Sequence, residues 1–100
     1  MPVKVTLLGT GEACDPQRYN TAYLIEGDDF SVQVDAGYNV FDSLCRHLGG
    51  TRQLLAEPDM VLLTHRHGDH TASLPKELIA MWEEGYITGS NRDIIIAGEG

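Results

Sequence analysis

The chain has 100 residues, of which 42% are hydrophobic, and it carries a formal net charge of −8. This length allows one small domain or part of a larger one, and the hydrophobic fraction argues against a disordered segment. The acidic balance disfavours non-specific binding to nucleic acid, although bound dications could reverse the field locally around a phosphate substrate.

The sequence also bears on the compartment. No apolar run approaches the roughly 18 residues of a membrane span, and no charged and apolar leader opens the chain. Cys14 and Cys45 are far apart and belong to no C-x-x-C pair, which is typical of a reducing compartment. We therefore expect a cytoplasmic protein without a membrane partner.

The first third of the chain predicts three strands. Residues 3–8 alternate, with Val3, Val5 and Leu7 on one face. Residues 21–26 and 30–34 flank a Gly-Asp-Asp turn, which is the pattern of a β-hairpin.

The middle of the chain predicts a helix followed by a strand. Residues 41–48 have helical spacing of apolar side chains, and Asn39 stands where an N-cap is expected. Residues 60–63 are apolar without alternation, as in a strand that is covered on both faces.

The last quarter predicts a second helix and a final strand. The helix spans residues 74–84 and ends at Gly85, and Met81 and Trp82 lie on its apolar stripe, where core packing is expected. Residues 94–97 form the last strand. Strands that lead into helices after an opening hairpin predict a mixed α/β layered fold.

A cluster of metal-binding residue types directly follows the apolar strand: His65, His67, Asp69 and His70. Positions two apart on a chain leaving a strand point to the same side, so His65 and His67 can face one ion. Gly68 allows a sharp turn that brings Asp69 and His70 toward a neighbouring position. Nitrogen ligands with a carboxylate suit zinc, and also manganese or iron. A histidine-rich surface turn is the alternative interpretation.

An Asp-Ala-Gly triplet begins at Asp35, at the end of the hairpin's second strand. A carboxylate there could orient a metal-binding histidine, or hold the ligand loop through its amides. Asp and Gly are also common in ordinary strand-end turns. From the triplet alone, the ordinary turn is the favoured interpretation.

Residues 64–70 resemble the H-x-H-x-D-H signature of the metallo-β-lactamase superfamily. This resemblance covers essentially the whole chain and implies a metal-dependent hydrolase. It implies that His65 and His67 bind a first metal ion, and that Asp69 and His70 bind a second. It also makes Asp35 a structural support of these ligands rather than a plain turn residue.

Within the superfamily, the pattern is closest to the ribonuclease Z-like group. Residues 8–11, followed by Arg18, Asn20 and Thr21, resemble that group's opening, and residues 67–75 resemble its H-G-D-H-x-x-G-L-P segment. Two departures weigh against tRNA as the substrate: Ser73 replaces the usual glycine, and residues 38–40 replace an acidic-glycine continuation.

The resemblance further implies that residues 1–100 are the N-terminal part of one metallo-β-lactamase-like domain, an αβ/βα sandwich. The family's two later histidines and bridging aspartate would then lie beyond Gly100. The complete domain is expected to bind two zinc ions, with manganese or iron as alternatives, and the segment alone is expected to be inactive.

The predicted function is phosphodiester hydrolysis by a metal-bound hydroxide, with two ions about 3.5–4 Å apart sharing a water that Asp69 helps to orient. The substrate would be a small-molecule phosphodiester or RNA, and homo-oligomerisation is left open. Three alternatives remain. They are a hydrolase of a thioester, lactone or sulfate ester, an iron-containing redox member, and a non-catalytic metal-binding module.

Overall fold

The computed structural model describes residues 3–11, 20–55, 57–64, 68–89 and 93–98, and for Arg52, Leu55, Gly68 and Asp69 the backbone alone. Its strands are β1 (Lys4–Gly9), β2 (Ala22–Glu26), β3 (Ser31–Val34), β4 (Met60–Leu63) and β5 (Ile95–Gly98). Its α-helices are α1 (Val40–Leu48), α2 (Gly68–Thr71) and α3 (Leu74–Thr88), and a 3-10 helix spans Thr51–Leu55.

The strands form one sheet in the order β1-β2-β3-β4-β5. The first three strands pair antiparallel, whereas β4 and β5 continue the sheet in parallel pairing. Parallel neighbours need a crossover connection, which α1 supplies between β3 and β4 and α3 supplies between β4 and β5. The mixed α/β fold predicted from the sequence is confirmed.

Helices cover one face of the sheet. The buried apolar cluster on this face comprises Leu8, Ala22, Leu24, Val40, Phe41, Leu44 and Leu54, drawn from β1, β2, α1 and the 3-10 helix. Met81 of α3 packs against its margin. Along one row across the sheet, Leu24, Gln33 and Val61 are paired in register and fully buried. The core therefore accepts one polar side chain, Gln33, between two apolar ones.

The opposite face of the sheet is apolar and open among the described residues. Val5, Val32, Met60 and Ile95 belong to one register row across it. Val5 is 57% exposed and Leu7, on the same face of β1, is 64% exposed. The predicted alternation of β1 is confirmed, but its apolar face points away from the helices.

The β4 prediction was wrong in part. Val61 is fully buried under the helices, but Leu62 is exposed on the open face. The strand is therefore covered on one face only within the described part of the chain.

The prediction for α3 was wrong in two respects. The helix continues through Gly85 and ends at Gly89, whose φ of 74° gives the left-handed cap that a glycine tolerates. Trp82 was expected in the core but is 67% exposed. Its ring instead stacks on Tyr86, one turn along, with the ring centroids 5.6 Å apart. This pair supports the last turn.

Asn39 precedes α1 as predicted, but its side chain makes no capping hydrogen bond. Its φ is 65°, a left-handed conformation that asparagine adopts more readily than most residues. Cys14 lies outside the described residues. No helix in the described part of the chain is both long and apolar enough to cross a membrane.

Candidate metal centre

The candidate centre lies where two parallel strands end. Val34 of β3 is in register with Leu62 of β4, so the carboxyl ends of both strands meet at one edge of the sheet. Asp35 follows β3. Thr64 follows β4 and directly precedes residues 65–70, which we call the histidine segment. Parallel pairing therefore brings together two segments that are about thirty residues apart in sequence.

Asp35 joins these segments through its carboxylate. The Thr64 amide donates to Oδ1 at 2.7 Å, and the Thr64 hydroxyl lies 3.0 Å from Oδ1 and 2.8 Å from Oδ2. His70 Nδ1 lies 2.6 Å from Oδ2. Through these contacts the buried carboxylate holds Thr64, which precedes the histidine segment, and His70, which ends it.

The contact with Asp35 defines the tautomer of His70. A carboxylate accepts hydrogen bonds, so Nδ1 carries the proton and donates it to Oδ2. A proton on Nδ1 leaves the ring lone pair on Nε2, which is the arrangement of metal-binding histidines that are oriented by a carboxylate. The geometry thus suits His70 to bind a metal through Nε2.

The backbone beside Asp35 adds a second connection. The Ala36 amide donates to the His70 carbonyl at 2.7 Å, and the Ser73 amide donates to the Ala36 carbonyl at 2.8 Å. The Ser73 hydroxyl donates to the same carbonyl at 3.0 Å. Ser73 is buried, and its two hydrogen bonds hold the N-terminus of α3 against the residues that follow β3. A glycine at this position, as in the ribonuclease Z-like pattern, would lack this hydroxyl contact.

The structure brings together part of the predicted site. Asp35 and His70 are in direct contact, whereas His65 and His67 lie outside the described residues. Asp69 is placed at the start of α2 by its backbone alone. Within the described residues, no group of three or more metal-binding side chains is assembled. The complete ligand set therefore stays a prediction.

Three residues of this network escaped the sequence analysis as functional positions. Thr64 was a strand-end residue without an assigned role, and Ser73 was only a departure from the family pattern. Gln33, whose side-chain amide donates to the Asp35 carbonyl at 3.1 Å, was one position of an alternating strand. A threonine directly before the histidine segment was an available signal, because hydroxyls often bond to strand-end carboxylates. Nothing in the local sequence indicated Gln33.

Comparisons with known proteins place the chain among the metallo-β-lactamase fold proteins. It is 35% identical over 74 residues to the Anti-Pycsar protein Apyc1 of Paenibacillus sp. strain J14, which covers 74% of this chain and 29% of the relative. It is 37% identical over 81 residues to the Ribonuclease Z of Mycobacterium marinum, covering 80% of this chain and 28% of the relative. The chain thus spans about a third or less of the length of these relatives.

The solved structures agree with the sequence relatives. The metallo-β-lactamase fold protein YhfI from Bacillus subtilis superposes with a TM-score of 0.78 at 28% identity, over 99% of this chain and 39% of that one. The resemblance to the metallo-β-lactamase superfamily and its ribonuclease Z-like members is confirmed. The profile of the family Anti-Pycsar protein Apyc1 matches residues 3–99. Because this match covers nearly the whole chain, the protein belongs to that family.

Proposed function

We propose that the complete protein is a metal-dependent hydrolase of phosphodiesters. The observation that carries the proposal is the contact between Asp35 and His70 Nδ1 at 2.6 Å. A buried carboxylate that fixes a histidine tautomer is the usual support of a histidine ligand. Its place at the carboxyl ends of parallel strands is where α/β sheets bind their ligands.

Four residues would hold the metal ions: His65, His67, Asp69 and His70. Their nitrogen and carboxylate donors fit zinc, and manganese or iron also accept such a set. When bound, such ions lower the pKa of a water molecule and neutralise charge on the phosphate oxygens. The contact of His70 Nδ1 with Asp35 supports the place of His70 in this set.

The chain's own residues would act on the water and on the ligand geometry. Asp69, as a carboxylate within the ligand segment, would bind metal and accept a hydrogen bond from the attacking water. Asp35 would keep His70 in one orientation, and Thr64 would hold the start of the segment. Attack of the water on phosphorus breaks the ester bond and gives a phosphate monoester and an alcohol.

Two observations bear on the substrate class. Relatives include proteins named Ribonuclease Z as well as the Anti-Pycsar proteins. The chain itself has a net charge of −8, which repels a long phosphate backbone more strongly than a compact diester. The charge of this part of the protein thus favours a small-molecule phosphodiester over RNA.

The open face of the sheet supports the further proposal that these residues are the N-terminal part of one larger domain. Val5 and Leu7 expose their side chains on a face that runs across all five strands, and a surface of this kind is expected to be buried. The relatives are about three times as long as the matched segment. We propose that the C-terminal part of the same domain covers this face and supplies two histidines and a bridging aspartate.

The test is a substrate panel on the full-length, metal-loaded protein. We expect hydrolysis of bis-p-nitrophenyl phosphate and of a cyclic mononucleotide, and weaker action on RNA. Asp69→Ala should abolish turnover while the circular dichroism spectrum is retained. A wild-type protein that is inactive on every phosphodiester but active on a thioester or a lactone would refute the proposal. Near-normal turnover of Asp69→Ala would refute the role of Asp69.

A further inference from the structure

A buried polar pair joins β3 to α3, and its member on β3 lies two residues before Asp35 in the sequence. Gln33 of β3 and Glu77 of α3 are both 0% exposed. Gln33 Nε2 donates to Glu77 Oε1 at 2.9 Å and to the backbone carbonyl of Asp35 at 3.1 Å. Both hydrogens of one amide group are therefore used, one toward the helix and one toward the strand end.

This pair is costly to keep in an otherwise apolar row. Gln33 lies in register between Leu24 and Val61, which are both fully buried. Within the described part of the chain, Gln33 Oε1 and Glu77 Oε2 are buried without a hydrogen-bond partner. Unsatisfied buried polar atoms destabilise a fold, and two well-packed apolar side chains would serve the core better. Core packing therefore does not explain why polar side chains occupy these positions.

The contact with Asp35 provides an explanation. Asp35 has a φ of 68°, a left-handed conformation that is uncommon for residues with a side chain, although aspartate adopts it more readily than most. Its amide donates to the Leu62 carbonyl at 2.8 Å, and its carbonyl accepts from Gln33. These two contacts fix the peptide groups on both sides of Asp35, and with them the direction of its carboxylate toward His70.

We propose that Gln33 and Glu77 form a positioning pair, in which Glu77 orients the Gln33 amide and Gln33 fixes the backbone of Asp35. Through this connection the interior of the domain determines the orientation of His70. The predicted effect on turnover rests on the proposed function. The effect on His70 itself does not.

The experiment uses paired substitutions in the full-length, metal-loaded protein. The double variant Gln33→Met/Glu77→Met replaces both partners by apolar side chains of similar volume. Glu77→Gln keeps an acceptor for the Gln33 amide. Glu84→Gln is the matched control, because Glu84 lies on the same helix and accepts a hydrogen bond from Thr51 at 2.9 Å on the exposed side.

Three quantities are measured for each variant: the free energy of unfolding, turnover, and the NMR signal of the His70 Nδ1 proton. We expect the double variant to remain folded and as stable as the wild type, because an apolar pair can replace a buried polar one. Its turnover should fall tenfold to a hundredfold, in the range typical of lost support to a metal ligand. Its His70 signal should move upfield and exchange faster with water. Glu77→Gln and the Glu84→Gln control should keep the turnover and the His70 signal of the wild type.

The outcomes separate a positioning role from a merely structural one. A folded double variant with an unchanged His70 signal would overturn the proposal, as would loss of that signal in the Glu84→Gln control. If the double variant does not fold, Gln33→Asn decides by the same signal, because it keeps an amide beside Glu77 but is one methylene too short to hold both contacts. A wild-type protein without phosphodiesterase activity would refute the proposed function, while the His70 signal would still decide on the pair.

Discussion

Removing the Asp35 carboxylate tests whether this aspartate holds the histidine segment. Its oxygens accept from the Thr64 amide at 2.7 Å and lie 2.8 Å from the Thr64 hydroxyl and 2.6 Å from His70 Nδ1. Because the carboxylate is buried, its truncation leaves these donors without their shared acceptor. Breaking a buried charged contact of this kind costs roughly 3–5 kcal/mol.

The backbone conformation of Asp35 provides matched variants. Its φ of 68° is accessible to glycine and tolerated by asparagine, but it costs alanine about 1 kcal/mol or more. We expect Asp35→Asn, which keeps one acceptor oxygen, to lose the least stability. Asp35→Gly should lose about 3 kcal/mol through the missing carboxylate. Asp35→Ala should lose about 1 kcal/mol more than Asp35→Gly through backbone strain.

Urea unfolding of the full-length protein, followed by circular dichroism, measures these differences, and metal content is determined on the same samples. Metal affinity should fall about tenfold to a hundredfold in Asp35→Gly, because His70 loses the partner that orients its ring. An Asp35→Gly protein within about 0.5 kcal/mol of the wild type, with its metal content unchanged, would refute the reasoning.

Three further predictions concern pH, metal and the extent of the domain. Burial raises the pKa of Glu77 from 4.5 to about 7. Between pH 4.5 and pH 7, Glu77 therefore keeps its proton in the folded protein and loses it in the unfolded chain. The free energy of unfolding should therefore fall by about 3 kcal/mol as the pH rises from 4.5 to 7, and urea titrations of Glu77→Gln should lack this slope; an equal slope in both proteins would contradict this assignment. Replacing His65 and His67 by alanine in the full-length protein should remove most of the bound metal in elemental analysis, and undiminished metal would disprove the ligand assignment. Residues 1–100 expressed alone should be inactive and should associate through the open sheet face, as measured by turnover and light scattering; a fully active monomer would contradict the partial-domain proposal.

The architecture was predictable because its signals are local. Alternation in residues 21–26 and 30–34 and the glycine turn between them predicted the hairpin, and the structure pairs β2 with β3 antiparallel. The helix stop was less predictable, because Gly85 and Gly89 are both candidate C-caps. The structure places the left-handed cap at Gly89, about one turn beyond Gly85 and after the Trp82–Tyr86 stack, and no single residue in the sequence distinguishes the two glycines.

The candidate site was predictable as a set of residue types and not as a network. The histidine segment and Asp35 stood out by chemistry, and the structure brings Asp35 and His70 into contact, while the support role of Asp35 stays a prediction. The partners Thr64 and Ser73 depend on how β4 and α3 meet the strand end. No local sequence pattern predicts these contacts, because they result from parallel pairing between segments that are distant in sequence.

The exceptions to the hydrophobic pattern converge on one point of the backbone. Gln33 bonds to the Asp35 carbonyl, Thr64 to its carboxylate, and Ser73 to the carbonyl of the next residue. Gln33 and Ser73 are buried at positions where an apolar residue would pack at lower cost, and the exposed Thr64 bonds to the buried Asp35 carboxylate. Sequences break such local rules mainly at functional sites, so their convergence indicates that the orientation of the strand end is functionally important. For this reason, we expect substitutions that abolish function without touching the histidine segment to concentrate around Asp35.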